Sequence, residues 1–145
     1  MAIGRRTAVL ASATILLGSA AAVPATAAAT PAASNTVAVT TESGARIQVS
    51  CPSGDVCFWN KSWQRCNWNV ADPNWSGGNI RCSWAKTRNV HYVWNRGTSS
   101  RYTGVVYYLK TNYRNRVGCT RQGKSGYLQG TYKVDSHKWT SGRCG

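Results

Sequence analysis

The amino-acid sequence predicts a small all-β domain that is cross-linked by disulfide bonds. Beyond residue 50, short runs of β-branched and aromatic residues alternate with turns that contain glycine, proline or asparagine. No window after the N-terminal segment shows the sustained period of an amphipathic helix. Six cysteines are present, and all of them lie within residues 51–145. Together these observations favour a disulfide-bonded β-sandwich or barrel.

The imbalance of charge excludes several kinds of site. The chain has 145 residues, with 18 lysines and arginines against four acidic residues, and a formal net charge of +14. The acidic residues are Glu42, Asp55, Asp72 and Asp135, and no two of them are close in sequence. Paired-carboxylate glycosidase chemistry, calcium cages and two-metal phosphoryl transfer all need more carboxylates than this. We therefore expect neither an enzyme nor a protein that holds a metal ion or another cofactor.

Residues 1–27 have the pattern of a secretory signal peptide. Arg5 and Arg6 precede an apolar run over residues 7–23, and residues 25–27 supply a small-residue cleavage pattern that ends at Ala27. The run spans about 17 residues and is diluted by serine, threonine and glycine, so it is short for a membrane span. These features predict cleavage after Ala27 and a secreted, extracellular protein with no membrane span.

The next segment, residues 28–50, is rich in alanine, threonine and serine and contains no aromatic residue. This composition predicts a flexible leader or pro-segment, although the alternation from Arg46 to Ser50 suits the start of a strand. The folded domain is therefore expected over residues 51–145. Removing the two arginines of the signal leaves 16 basic and four acidic residues, so the mature charge is 16 − 4 = +12.

Four runs of β-branched and aromatic residues predict the main strands of this domain. They cover residues 56–59, 89–94, 104–109 and 127–134. Large aliphatic residues are few here, and a domain of this size is marginally stable on such a set. We therefore expect buried aromatic rings and disulfides to hold much of the core.

The cysteines are interpreted as three disulfides, because their number is even and the chain is small and exported. No two of them have the CxxC spacing of a zinc site, and the even number leaves no thiol for a nucleophile. The Pro-Ser-Gly turn after Cys51 favours a Cys51–Cys57 bridge. Three pairings remain for the other four cysteines, and among these we expect Cys66–Cys82 with Cys119–Cys144.

The domain also contains a weak internal repeat. VCFWNKSWQRC at residues 56–66 aligns with VVYYLKTNYRNRVGC at residues 105–119. Each copy has a strand with two aromatic residues, a polar turn, another aromatic residue, and basic residues that lead to a cysteine. Each copy is also followed by a short run near a histidine, His91 in the first and His137 in the second. This pattern predicts two copies of a four-strand unit.

The opening CPSGDVCFW, the repeat YYLKTNY and the ending SHKW resemble a known family. The sequence is similar to the secreted actinomycete peptidase inhibitors of the streptomycete metalloproteinase inhibitor type, whose fold is related to the βγ-crystallins. The resemblance covers most of residues 51–145. It implies a βγ-crystallin-like sandwich of two Greek-key motifs, a Cys51–Cys57 bridge and inhibition of an extracellular peptidase. The stretches TRNVHY and TYKVDS lack the acidic pair of calcium-binding crystallin motifs, so no calcium is expected.

An inhibitor of this kind presents a rigid, substrate-like loop, so little ordering entropy is lost on binding. The best candidate in the sequence is RNRVGCTRQGK at residues 114–124, which Cys119 would anchor. The resemblance places the contacted bond near Cys119–Thr120. An arginine would suit a trypsin-like pocket and a valine an apolar metalloproteinase pocket, so the peptidase class stays open. The candidate inhibitory residues of the expected monomer are Arg116, Val117, Gly118, Cys119, Thr120 and Arg121.

A second interpretation is a cationic, aromatic-rich binder of a cell-wall polyanion or nucleic acid, with antimicrobial action. A mature charge of +12 together with many tryptophans suits phosphate backbones and stacking on bases or sugars. Trp63, Trp68 and Trp75 fall in a polar, turn-rich stretch and would form the binding face if they were exposed. The alternative is that these three rings cover the core beneath a long loop, and the sequence leaves both possibilities open.

Overall fold

The computed structural model describes residues 34–144, which form nine β-strands and no helix. The predicted signal peptide (1–27) and the first part of the predicted leader lie outside the described residues. No helix that is long and apolar enough to cross a membrane occurs in the described range. The prediction of an all-β fold is therefore confirmed. The strands are β1 (Thr36–Thr40), β2 (Arg46–Ser50), β3 (Val56–Asn60), β4 (Arg65–Trp68), β5 (Val90–Asn95), β6 (Gly104–Lys110), β7 (Arg114–Arg121), β8 (Ser125–Tyr132) and β9 (Ser136–Thr140).

The strands form three antiparallel sheets, with the orders β1-β2, β4-β3-β5-β8 and β7-β6-β9. In each of the two larger sheets a hairpin strand lies on one side of a central strand, and a later strand lies on the other. Phe58 of β3 pairs with Val93 of β5, and Tyr107 of β6 pairs with His137 of β9. The structural counterpart of His137 is therefore Val93 rather than His91.

The repeat in the sequence is a repeated hairpin, and one aromatic turn residue in each copy has the same unusual backbone conformation. Trp63 after β3 and Tyr113 after β6 both have φ of 58°, a left-handed conformation that bulky residues rarely adopt. Each ring packs on a neighbouring aromatic ring, Trp63 at 5.8 Å from Tyr92 and Tyr113 at 5.9 Å from Tyr108. These ring contacts offset the cost of the strained turn in both copies.

The β1–β2 hairpin replaces much of the predicted flexible leader. Alternation places Val39 and Val49 on one face, where both are buried against Trp59 and Tyr92 of the first large sheet. The Tyr127 hydroxyl also donates a hydrogen bond of 2.6 Å to the Thr40 carbonyl. The expected strand from Arg46 to Ser50 is present, but its partner β1 was not predicted. Apolar residues of period two, Val37 and Val39 in β1 and Ile47 and Val49 in β2, were enough to form a ribbon once a hydrophobic sheet face was available.

Three disulfides join the chain, and they are the three pairs that the sequence analysis favours. Cys51–Cys57 links the end of β2 to β3, with a Cα–Cα distance of 5.9 Å. Cys66–Cys82 ties β4 to the long segment that precedes β5. Cys119–Cys144 ties β7 to the C-terminal segment. The long segment and the C-terminal segment have little regular structure, so these two bridges restrict them directly.

The main core lies between the two larger sheets and is largely aromatic. Phe58 and Tyr107, from the two central strands, meet at 5.6 Å between ring centroids. Tryptophans from the segment around β4 and before β5 complete the cluster with a few valines. The expectation that aromatic rings hold much of the core is confirmed. The fully or nearly buried members include Val56, Phe58, Trp68, Trp75, Trp84, Val90, Val93, Val105, Tyr107 and Val134.

Candidate functional site

The candidate inhibitory residues lie in strand β7 and not in a free loop. Cys119 pairs with Val106 and Gly118 pairs with Tyr107 along the ladder between β6 and β7. The prediction of a loop at residues 114–124 therefore needs correction, because only residues 122–124 form a turn. Val117 and Thr120 are the only β-branched residues of β7, and the ladder offered by β6 overrides this weak strand propensity.

Strand β7 lies at the edge of its sheet, and its second edge opens into a groove. In the described part of the chain, its ladder partner is β6, on one side alone. Across the groove lies β8, the edge strand of the other large sheet. The groove has a volume of about 600 Å³, and Val93, Tyr107 and Tyr132 are among the residues that line it. The free edge of β7 is therefore accessible to an extended chain from outside.

The end of β7 is held firmly. Buried Asn95 donates a hydrogen bond of 2.9 Å from its side chain to the Thr120 carbonyl. In the following turn, the Gln122 amide donates to the Thr103 carbonyl at 2.9 Å and the Gly123 amide to the Asn95 carbonyl at 2.8 Å. Together with the Cys119–Cys144 bridge, these contacts fix the strand before any partner arrives.

The side chains of β7 alternate between core and solvent. Arg116 and Arg121 are exposed, whereas Val117 is half-buried and Thr120 is 9 % exposed. The resemblance implies the bond between Cys119 and Thr120 as the contact point. This bond lies within the ladder between β6 and β7, and the Thr120 side chain faces the core. The groups that β7 offers to a partner are its free backbone edge and its two arginines.

Gly118 is required for the packing of β7, which gives a first prediction. A Cβ atom at this position would overlap the Tyr107 ring beneath it. Because Tyr107 is nearly buried and packs on Phe58, its ring has little room to move. We expect Gly118→Ala to lower the free energy of unfolding by about 2–3 kcal/mol, as overpacked cores do. Urea denaturation measures this loss, and Gly126→Ala, where a Cβ meets open space, is the matched control.

Two of the three tryptophans proposed as a binding face are buried. Trp68 and Trp75 have no exposed surface and stack on each other, with centroids 4.4 Å apart. Trp63 is half-buried against His91 and Tyr127. The prediction of an exposed face is therefore wrong for Trp68 and Trp75. They can be buried because each indole N–H donates to a buried acceptor. The polar sequence around the two tryptophans does not reveal these acceptors.

These acceptors are Asp72 and His137, which form a buried polar cluster with the two tryptophans. The indole Nε1 of Trp68 donates to the Asp72 carboxylate at 3.0 Å, and that of Trp75 donates to Nδ1 of His137 at 2.8 Å. The backbone groups of Asp72 and His137 also bond to each other in an isolated β-bridge. Sequence reasoning missed this cluster, and its only signal was an acidic residue between two tryptophans in a chain with few acidic residues.

The imidazole of His137 is fully engaged and neutral at ordinary pH. Its Nδ1 accepts from Trp75, so its Nε2–H donates to the Val70 carbonyl at 3.0 Å. Burial lowers the pKa of His137 from 6.5 to about 4, although the Val70 carbonyl and the Asp72 charge act in the opposite direction. With both ring nitrogens bonded inside the protein, His137 has no nitrogen left for a ligand. Its role in this geometry is structural.

No group of three or more histidine, cysteine, aspartate or glutamate side chains that could hold a metal ion occurs among residues 34–144. Comparison with known proteins adds no neighbour: no family model, no curated protein and no solved structure matches the chain. The resemblance to secreted peptidase inhibitors therefore rests on the sequence motifs quoted above. Any functional conclusion depends on those motifs and on the geometry of the surface.

Proposed function

We propose that this protein is a secreted inhibitor of an extracellular peptidase and that strand β7 is the segment that enters the enzyme's cleft. The observation that supports this best is the state of β7, which is extended, open at one edge and fixed at its end. Many proteins recognise an extended peptide by adding it as a strand to a sheet edge. A strand that is already rigid loses little entropy when it is bound in this way.

The connection of the two large sheets supports a βγ-crystallin-like arrangement. Strand β8 follows β7 in the chain, yet it pairs with β5 in the other sheet. In the first unit, Asp72 lies after β4 and bridges to His137 in β9 of the second sheet. Each hairpin unit thus contributes one element to the other unit's sheet. This exchange is what two interlocked Greek-key motifs require, and we propose that architecture for the domain.

The covalent structure supports export. All six cysteines are paired, and disulfides of this kind persist in oxidising compartments. A basic start followed by an apolar run in residues 1–27 is the pattern of a cleaved signal. Secretion would bring the protein to extracellular peptidases, where a disulfide-bonded inhibitor resists unfolding and digestion.

The test is a titration of the refolded protein against four peptidases, one each of the metalloproteinase, subtilisin-like, trypsin-like and papain-like classes. We expect stoichiometric inhibition of at least one class, with little effect of moderate salt. If the target is trypsin-like, Arg116→Ala or Arg121→Ala should weaken inhibition at least tenfold, about 1.4 kcal/mol. If it is a metalloproteinase, Val117→Ser should have the larger effect.

The matched control is Arg101→Ala, which removes an exposed arginine from a loop outside β7. Its inhibition constant should stay within about twofold of the original protein, because surface substitutions away from a contact change little. Failure of the correctly disulfide-bonded protein to inhibit any of the four enzymes would reject the proposal. Inhibition that Arg101→Ala and the β7 variants weaken equally would reject β7 as the contact segment.

A further inference from the structure

The three strands β7, β6 and β9 of the second large sheet correspond to β4, β3 and β5 of the first, but the two sheets differ on their outer faces. The outer face of the β4-β3-β5-β8 sheet presents Trp59 and Tyr92, and the β1–β2 hairpin covers both residues. No described strand covers the outer face of the β7-β6-β9 sheet. The outer face of the second sheet is therefore open to a partner from outside the chain.

The uncovered face carries five basic side chains. Directly paired residues in an antiparallel sheet share a face, and alternate residues along a strand do so as well. Tyr107 faces the core, so Tyr108 and its partner Arg116 face outward. The same register places the pair of Lys110 and Arg114 on this side. Lys138 of β9, which pairs with Val106, also lies on it. The basic sheet face is thus defined by Lys110, Arg114, Arg116, Arg121 and Lys138, and no acidic residue occurs in β6, β7 or β9.

The four carboxylates of the chain are engaged elsewhere. Asp72 is buried with Trp68, and Asp55 accepts a hydrogen bond of 2.6 Å from Asn67 in the other sheet. Glu42 pairs with Lys61 at 3.5 Å. Burial raises the pKa of the Asp135 carboxyl, and the charge of Lys86 and hydrogen bonding by Ser76 act in the opposite direction. The positive charge of the basic sheet face therefore has no neutralising carboxylate within its own sheet.

Two tyrosines hold Lys138 in a fixed position on this face. Its Nζ lies 5.8 Å from the Tyr108 ring centroid and 5.2 Å from that of Tyr113. Cation–π contacts of this length orient an ammonium group. Tyr108 is 8 % exposed and Tyr113 is half-buried, so neither ring offers an open surface for a base to stack on. The face presents exposed cations, of which Lys138 is oriented by the two rings, and little exposed aromatic area.

We propose that the basic sheet face binds a linear phosphodiester polymer that lacks bases, of the poly(glycerol phosphate) type. A guanidinium group can bind two oxygens of one phosphate at once, and a lysine beside it acts as a point charge. Each phosphate contact releases counterions, so affinity accumulates with the number of cations that reach the chain. The covered tyrosines explain why the ligand is a backbone and not a stacked nucleic acid. Arg116 and Arg121 belong to this face and to the proposed inhibitory strand, whereas Lys110, Arg114 and Lys138 belong to the basic sheet face alone.

The test compares two variants of equal charge loss. The face variant is Lys110→Gln, Arg114→Gln, Lys138→Gln, and the control is Arg81→Gln, Lys86→Gln, Arg88→Gln, all exposed and outside the sheet. Binding to synthetic poly(glycerol phosphate) is measured between about 50 and about 200 mM salt. Each phosphate contact contributes about 0.7 to the slope of log K against log salt. Loss of the three cations should therefore make the slope of the face variant shallower by about 2. The control should keep the original slope.

Two results would overturn the inference. One is a control variant that loses as much slope as the face variant, since the binding would then depend on net charge alone. The other is a thymidine oligonucleotide that binds more than tenfold tighter than poly(glycerol phosphate) of equal phosphate number, since the face would then read bases. Peptidase inhibition by the face variant should be unchanged, because residues 116–121 are intact, so the two proposals can fail separately.

Discussion

Asp72→Asn is expected to lower the free energy of unfolding by about 3 kcal/mol, the cost of breaking hydrogen bonds to a buried charged group. Asp72 has no exposed surface and accepts three N–H groups. The indole of Trp68 and the amide of Ile80 approach Oδ2 at 3.0 and 3.3 Å, and the amide of Asn74 approaches Oδ1 at 2.8 Å. An asparagine has one oxygen for these donors, so its NH₂ group must face at least one N–H.

The loss should be large because the carboxylate joins β4 to the segment around Ile80, and the backbone of the same residue joins that segment to β9. Trp68 belongs to β4, Ile80 lies in the segment closed by Cys66–Cys82, and the backbone of Asp72 bridges to His137 in β9. Urea denaturation gives the free energy of unfolding, and Asp55→Asn is the matched control. Asp55 is half-buried and accepts one side-chain donor, Asn67, so its change should cost less than about 1 kcal/mol. Equal losses at the two sites would contradict this account.

The first strand and the turn of each hairpin could be predicted from the sequence because their signals are local. The aromatic strand, polar turn and second aromatic residue lie within about a dozen positions in each copy. That second aromatic residue, Trp63 or Tyr113, has the left-handed backbone conformation in both copies. The Cys51–Cys57 bridge follows from a turn that brings its ends together. Strand β1 and most of β7 lack such signals. They become strands because a neighbouring strand or sheet face pairs with them.

The burial of Trp68 and Trp75 could not be predicted from their own segment. Trp68 finds its acceptor four residues away, but Trp75 finds His137 at a separation of 62 residues. Both tryptophans lie in a polar stretch whose composition suggests an exposed loop. A polar stretch can be buried only if hydrogen-bond partners meet it inside the protein. The folded topology brings these partners together from distant parts of the sequence. The basic sheet face depends on the same topology, since its cations come from three strands.

The stability of the protein is expected to fall by about 3 kcal/mol between pH 7 and pH 3.5 through His137 alone. The folded protein keeps this imidazole neutral down to a pKa of about 4, whereas the unfolded chain protonates it near 6.5. The contribution is therefore fully present above pH 6.5. As the pH falls from 6.5 to about 4, this contribution decreases by up to about 1.4 kcal/mol per pH unit, and the loss levels off at lower pH. Protonated His137 could no longer accept the Trp75 hydrogen bond at Nδ1.

Other groups change stability in the same range, so the measurement must isolate His137. Burial also lowers the pKa of His91, which adds a loss of the same sign, whereas the raised pKa of Asp135 opposes it. Urea denaturation across this pH range should show that His91→Gln retains most of the acid loss. In the original protein, the NMR signals of the His137 ring should stay constant down to about pH 5. A His137 ring that titrates near pH 6.5 would contradict a buried, doubly bonded imidazole, and with it the link between the two tryptophans and β9 on which the core depends.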